Sequence, residues 1–176
     1  MKNKNFFLKK KTLEKKIEIL LIIVLVFISG CGTVRTDSKI DVYFCPEDNC
    51  KEEVIKVINI ANDSVLFMTY SFTDNDIGNL LVAKHKQGIT VKGIFEKSQE
   101  SKYSEYSKLK SNKMDVKFDN NKYLMHNKIF IIDEKIVVTG SYNPTRNADE
   151  NNNENLVIIY YEVIAKQYVG EFNKLF

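Results

Sequence analysis

Downstream of residue 39 the apolar residues fall into short blocks that switch between two periods. Ile40 to Phe44 alternates like a strand, and Lys51 to Ala61 repeats apolar side chains at helical spacing (Val54, Ile55, Val57, Ile58), with Asn49 placed as its cap. Ser64 to Tyr70 returns to strand character. Asp76 to Lys86 reads as a helix closed by Gly88, Ile89 to Phe95 as a strand, and Ser98 to Ser111 as a polar amphipathic helix. Val116 to Phe118 is a short strand. Leu124 to Ile132 and Ile136 to Thr139 read as adjacent strands joined at Asp133-Glu134-Lys135. Residues 142–153 form an Asn-rich polar loop with room for a helical turn, before a buried strand (Leu156 to Tyr161) and a closing amphipathic helix (Glu162 to Phe176). Alternating strands and helices predict an α/β domain, and the hairpin-like pair predicts a mixed sheet flanked by helices in a layered sandwich.

The first 31 residues follow a different pattern. Seven lysines between Lys2 and Lys16 precede an apolar run, Ile19 to Ile28, that ends at Ser29-Gly30-Cys31. Ten residues are short for a membrane span but suit the core of a signal peptide. The ending resembles the lipobox of prokaryotic lipoproteins, which implies lipidation of Cys31 and anchoring on the extracytoplasmic face of a prokaryotic cell. An uncleaved signal anchor, using Ile17 to Ile28, is the other reading. The expected organisation is therefore an anchor (1–31), a linker (32–39) and an α/β domain (40–176).

Charge changes meaning once that segment is set aside. The whole chain has 26 Lys+Arg and 23 Asp+Glu; residues 1–30 hold seven lysines and two glutamates, which leaves 19 basic against 21 acidic residues downstream. The basic balance belongs to the N-terminus, so net charge does not argue for nucleic-acid binding. Within residues 102–128, seven lysines against three acids offer either a solvated helix face or a rim facing phosphates. Of three cysteines, lipidation of Cys31 would leave Cys45 and Cys50, which are disulfide candidates in an exported protein and too few to hold zinc.

The stretch that carries chemistry is His126-Asn127-Lys128-Ile129-Phe130-Ile131-Ile132-Asp133, followed after six residues by Gly140-Ser141-Tyr142-Asn143. On a strand, His126 and Lys128 would share a face roughly 6.5 Å apart along the chain. Phe130 and Ile132 would continue that face into the core, with Ile129 and Ile131 on the other side. Ser141 and Asn143 share parity after Gly140, which permits a close backbone approach or an unusual φ.

This pattern resembles the H-x-K-x4-D signature of the phospholipase D superfamily with its downstream G-[ST]-x-N. The resemblance implies a phosphodiesterase without metal or other cofactor, in which His126 attacks phosphorus and forms a phosphohistidine. Lys128, Ser141 and Asn143 would bind the phosphate oxygens, and Asp133, which closes the signature, is expected mainly to hold its turn. Related single-motif nucleases place an acid fourteen residues after the motif glycine to orient the histidine, and Glu154 stands at that position. His85, the other histidine, lies outside any motif and is expected at the surface; Arg146 is expected to be a solvated loop charge, and Tyr123 to line the site or pack.

One motif supplies one histidine where the mechanism needs two, so a homodimer with the active site on its twofold axis is expected. The similarity to small bacterial nucleases and mitochondrial phospholipase D-like proteins runs from Lys39 to Phe176. The short Cys45–Cys50 segment departs from the longer zinc-binding insertion of eukaryotic relatives. Both phospholipid and nucleic acid fit as substrates, and a non-catalytic surface lipoprotein binding either one is the alternative.

Overall fold

Strands buried on both faces need apolar residues at every position, and β2 (Ser64–Thr69) and β5 (Lys128–Ile132) supply them behind a single partly exposed first residue. In the computed structural model, which describes residues 38–176, they pair antiparallel at the centre of a seven-stranded sheet. The other strands are β1 (Lys39–Cys45), β3 (Thr90–Phe95), β4 (Asp115–Phe118), β6 (Ile136–Gly140) and β7 (Glu154–Tyr160). Their order is β1-β7-β6-β5-β2-β3-β4. β2 pairs parallel with β3, and β3 with β4; the remaining pairs are antiparallel, giving the mixed sheet that the hairpin predicts. The expected anchor, the lipidation of Cys31 and most of the linker lie outside the described residues.

Strand parity sorts side chains into two cores. On one face, helices α1 (Cys50–Asn59) and α2 (Asn75–Lys86) pack Val54, Val57, Ile58, Ile77 and Leu81 over Val65, Phe67, Phe130 and Ile132. The short α3 (Tyr106–Ser111) adds Leu109 to that layer. On the other face α5 (Glu162–Leu175) sets Ala165 and Phe172 against Leu66, Met68, Ile94, Ile129, Ile131 and Val137. The Phe67 ring, fully buried, lies 5.3–5.8 Å from those of Phe72, Phe95 and Phe130. Truncating one such ring to alanine typically costs about 3–5 kcal/mol, so this cluster makes a stiff floor.

Local chemistry explains most boundaries. Asp74 caps α2 by accepting from the Ile77 amide at 2.9 Å, and Gly88 at φ 92° ends it, its amide bonding His85 O while Ile89 N bonds Lys84 O. Thr145 caps α4 (Arg146–Glu150), the helical turn in the Asn-rich loop. Asn49 precedes α1 but sits at φ 51° with no side-chain capping bond. Its turn is held instead by Asp48, whose carboxylate accepts from Phe44 N at 2.8 Å, and by the Cys45–Cys50 disulfide, with Cα atoms 5.6 Å apart.

Two elements differ from the sequence reading. Residues 98–111 do not form one helix: a 3₁₀ turn (Lys97–Gln99) and a run of bends precede α3. Serine side chains compete for the backbone there, Ser101 Oγ accepting from Tyr103 N and Ser104 Oγ from Tyr106 N, both at 3.3 Å. The amide of Glu105 is drawn to Phe72 O at 3.0 Å. The second difference is β5, which begins at Lys128 rather than at Leu124, leaving His126 on an unpaired segment before the strand.

Candidate active site

The antiparallel and parallel pairings bring the carboxyl ends of β2, β3 and β6 to the same edge of the sheet as the amino ends of β5 and β7. At that edge Lys128 faces Thr69 in register, Gly140 faces Leu156, and Glu154 opens β7. Gly140 has φ 145°, and a Cβ there would lie 2.2 Å from Asn155 O. Both reasons to expect glycine therefore apply, and the tight approach lets Ser141 N and Tyr142 N bond Asn155 O.

His126 is exposed and held from both sides. The amide before it, Met125 N, donates to Glu96 Oε2 at 2.7 Å, and the carbonyl after it, Asn127 O, accepts from Tyr70 N at 2.7 Å. Lys128 Nζ lies 2.9 Å from His126 Nδ1 and donates to the His126 carbonyl at 2.8 Å. Burial lowers the proton affinity of Lys128, and the negative charge of Glu154 opposes that only in part. The same Nζ lies 3.2 Å from Nε2, so the ammonium sits against both ring nitrogens.

Tyr70 was not singled out from the sequence, yet it touches both members of the pair. Its ring centroid is 4.4 Å from that of His126 and 4.9 Å from Lys128 Nζ, and its hydroxyl accepts from Gln99 Nε2 at 3.0 Å. Glu96 was missed as well. Burial alone would raise its pKa, but bonds from Ser98, the Met125 amide and the charge of His126 hold it below the usual carboxylate range. A polar residue ending a buried strand is the only hint of either in the sequence, and it is too common to select them.

The remaining predicted residues divide. Ser141 Oγ donates to Glu154 Oε2 at 2.5 Å and accepts from Asn155 N at 3.0 Å, so in this structure it braces the β6–β7 edge. Asn143 Oδ1 accepts from Ser71 N at 3.3 Å, next to Tyr70. Glu154 makes no hydrogen bond to His126 of its own chain; its other oxygen accepts from Asn152 Nδ2 at 3.0 Å. Asp133, the residue that closes the signature, does not join the site. It lies at the far end of β5, where its carboxylate accepts from the amides of Asn62, Asp63 and Ser64.

Lysines 102–128 form no continuous rim: Lys108 is paired with Glu105, Lys110 donates to Val116 O, and Lys117 donates to Phe176 O. Arg146 is paired with Glu150, His85 sits on the last turn of α2, and Tyr123 is 74% exposed.

A histidine and a lysine thus lie side by side at the edge of this mixed sheet, with Asn143 on the loop that follows β6. The family model described as cardiolipin synthase, PLD-like domain, matches residues 54–176, and the chain belongs to that phospholipase D-like family. It is 33% identical over 133 residues to the phospholipase D of Rickettsia conorii, covering 75% of this chain and 66% of that protein. The chain thus spans just under two thirds of that relative's length. It is 27% identical over 135 residues to the mitochondrial cardiolipin hydrolase of Xenopus tropicalis, covering 74% of this chain and 64% of that protein. The crystal structure of Nuc from Salmonella typhimurium, a phospholipase D family member, superposes with TM-score 0.74 at 28% identity, covering 78% of this chain and 93% of that one.

Proposed function

We propose that this chain hydrolyses phosphodiesters through His126 and works as a membrane-attached, twofold-symmetric pair. The observation that carries the reading is the Lys128–His126 contact at 2.9 Å, on an exposed edge where a phosphate can reach both side chains. An imidazole nitrogen of His126 attacks phosphorus, the bond to the leaving oxygen breaks, and a phosphohistidine remains. The leaving oxygen takes its proton from a second imidazole, the partner's His126. That histidine then removes a proton from the water that frees the phosphate monoester. Lys128 balances charge on the non-bridging oxygens, and Asn143 adds a neutral donor.

Pairing also gives Glu154 a task. Its carboxylate does not reach the imidazole of its own chain, and a histidine brought across the axis would donate a ring N–H to it. The lysine-rich, apolar N-terminal segment with its Cys31 supports attachment to a membrane. The site chemistry suits a phospholipid or a nucleic-acid diester equally.

The test is turnover of plasmid DNA and of cardiolipin vesicles by the full chain in EDTA. His126→Ala is expected to abolish whichever activity is found, and activity that survives it sinks the assignment. Sedimentation during turnover tests the pairing, since a fully active monomer is incompatible with it.

A further inference from the structure

We infer that the loop edge beside His126 docks on an anionic phospholipid surface, with Tyr123 and Leu124 entering the lipid interface; this rests on the phosphodiesterase reading and selects phospholipid as its substrate class. Tyr123 is 74% exposed and Leu124 55% exposed, three and two residues before His126. The next residue, Met125, is 4% exposed, and its amide is fixed on Glu96, so the two apolar side chains are presented from a pinned backbone. Lys97 and Lys122 flank them around a shared cavity of about 520 Å³. The Glu96 carboxylate in its wall is turned inward onto the Ser98 and Met125 amides. On the separate segment that carries Lys97, between β3 and α3, Tyr103 is 68% exposed, with Lys102 Nζ 5.0 Å from its ring.

Exposed Tyr and Leu bordered by lysines is the composition of an interfacial contact: rings and aliphatic groups enter the headgroup boundary while ammonium groups meet lipid phosphates. A single-stranded nucleic acid would also use Tyr and Lys. It would gain nothing from an aliphatic side chain such as Leu124, however. Docking on this edge would lay the His126–Lys128 pair against the headgroup layer, where the diester lies.

The chain has no tryptophan, so one indole reports its own surroundings. The full chain carrying Leu124→Trp is reconstituted into vesicles with and without anionic lipid, and quenching by brominated phospholipid is measured. Ile60→Trp, 54% exposed near the Asp133 end of the sheet, is the control for general proximity to the bilayer. The L124W indole is expected to blue-shift and be quenched in anionic vesicles while the I60W indole is not. Adding Lys97→Glu and Lys122→Glu to L124W should cut that quenching by roughly an order of magnitude. Equal quenching of L124W and I60W, or an L124W signal that answers to an oligothymidylate and not to lipid, overturns the inference. Turnover of bis(4-nitrophenyl) phosphate by the unsubstituted chain reports the chemistry separately. Its failure would count against the phosphodiesterase reading, whereas absent quenching with intact turnover removes the docking alone.

Discussion

The Tyr70 ring packs on the His126 imidazole, centroids 4.4 Å apart, while its hydroxyl is tied to Gln99. An exposed histidine on an unpaired segment has several rotamers open to it, and this contact removes some of them. Tyr70→Ala is expected to lower kcat by about 10²-fold, the scale of a misplaced reacting group, with little change in KM. Tyr70→Phe keeps the ring and should lose only a small part of that. Steady-state kinetics on a soluble diester would separate the two, and equal losses would assign the effect to the hydroxyl.

At Lys128 function and stability oppose each other. Burial depresses its folded pKa below the unfolded value, about 10.4, so the unfolded chain binds that proton more tightly. The resulting penalty is fully present below the folded pKa and disappears as pH rises through the window up to the unfolded value. Lys128→Met removes it, so Tm at pH 7 should rise while turnover falls by at least about 10²-fold. Calorimetry at pH 7 checks the sign.

Asp133 works in the opposite direction. Burial would raise its pKa, but amides of Ser64, Asn62 and Asp63 outweigh that and hold the carboxyl below the usual carboxylate range. A depressed acid contributes stability that is present above its unfolded pKa, about 3.9, and is lost as pH falls through the folded value. Asp133→Ala should cost about 1–3 kcal/mol at pH 7, with a shallower acid limb in a denaturation series from pH 6 to 2. Catalysis per folded molecule should survive, which distinguishes this residue from His126.

The Cys45–Cys50 disulfide closes a very short loop, with a sequence separation of 5. Chain-entropy reasoning gives such a loop about 2 kcal/mol. Replacing both cysteines by alanine should therefore lower Tm by several degrees and leave kcat unchanged, as differential scanning calorimetry and a diester assay would show.

The fold was legible wherever local pattern and tertiary burial agree. Phe130 and Ile132 on one face and Ile129 and Ile131 on the other follow directly from strand parity, and the end of α2 follows from Gly88. The break in residues 98–111 was not, because the helical period of that stretch is overridden by serine side chains and by the pull of Phe72 O on Glu105 N. For the site, the spacing from His126 to Asn143 marked the edge where chemistry belongs. Tyr70, Glu96 and Gln99 reach that edge from β2, β3 and the turn that follows, contacts that no linear spacing encodes. Glu154 shows the converse: correct spacing placed it near Lys128 without placing it on His126.

Asp133 also explains why the signature has the length it has. Five residues of β5 separate its fastening to the start of β2 from the exposed edge, and each of the four after Lys128 is locked into one core or the other. The strand acts as a gauge block, clamped at one end and delivering its working surface at a set height. Adding or removing a single residue between Lys128 and Asp133 would turn Lys128 toward the α5 layer and exchange the two sets of core side chains. Changes in chain length are accommodated more readily in the serine-rich bends near residue 101 and the Asn-rich loop near residue 151, which lie outside that strand.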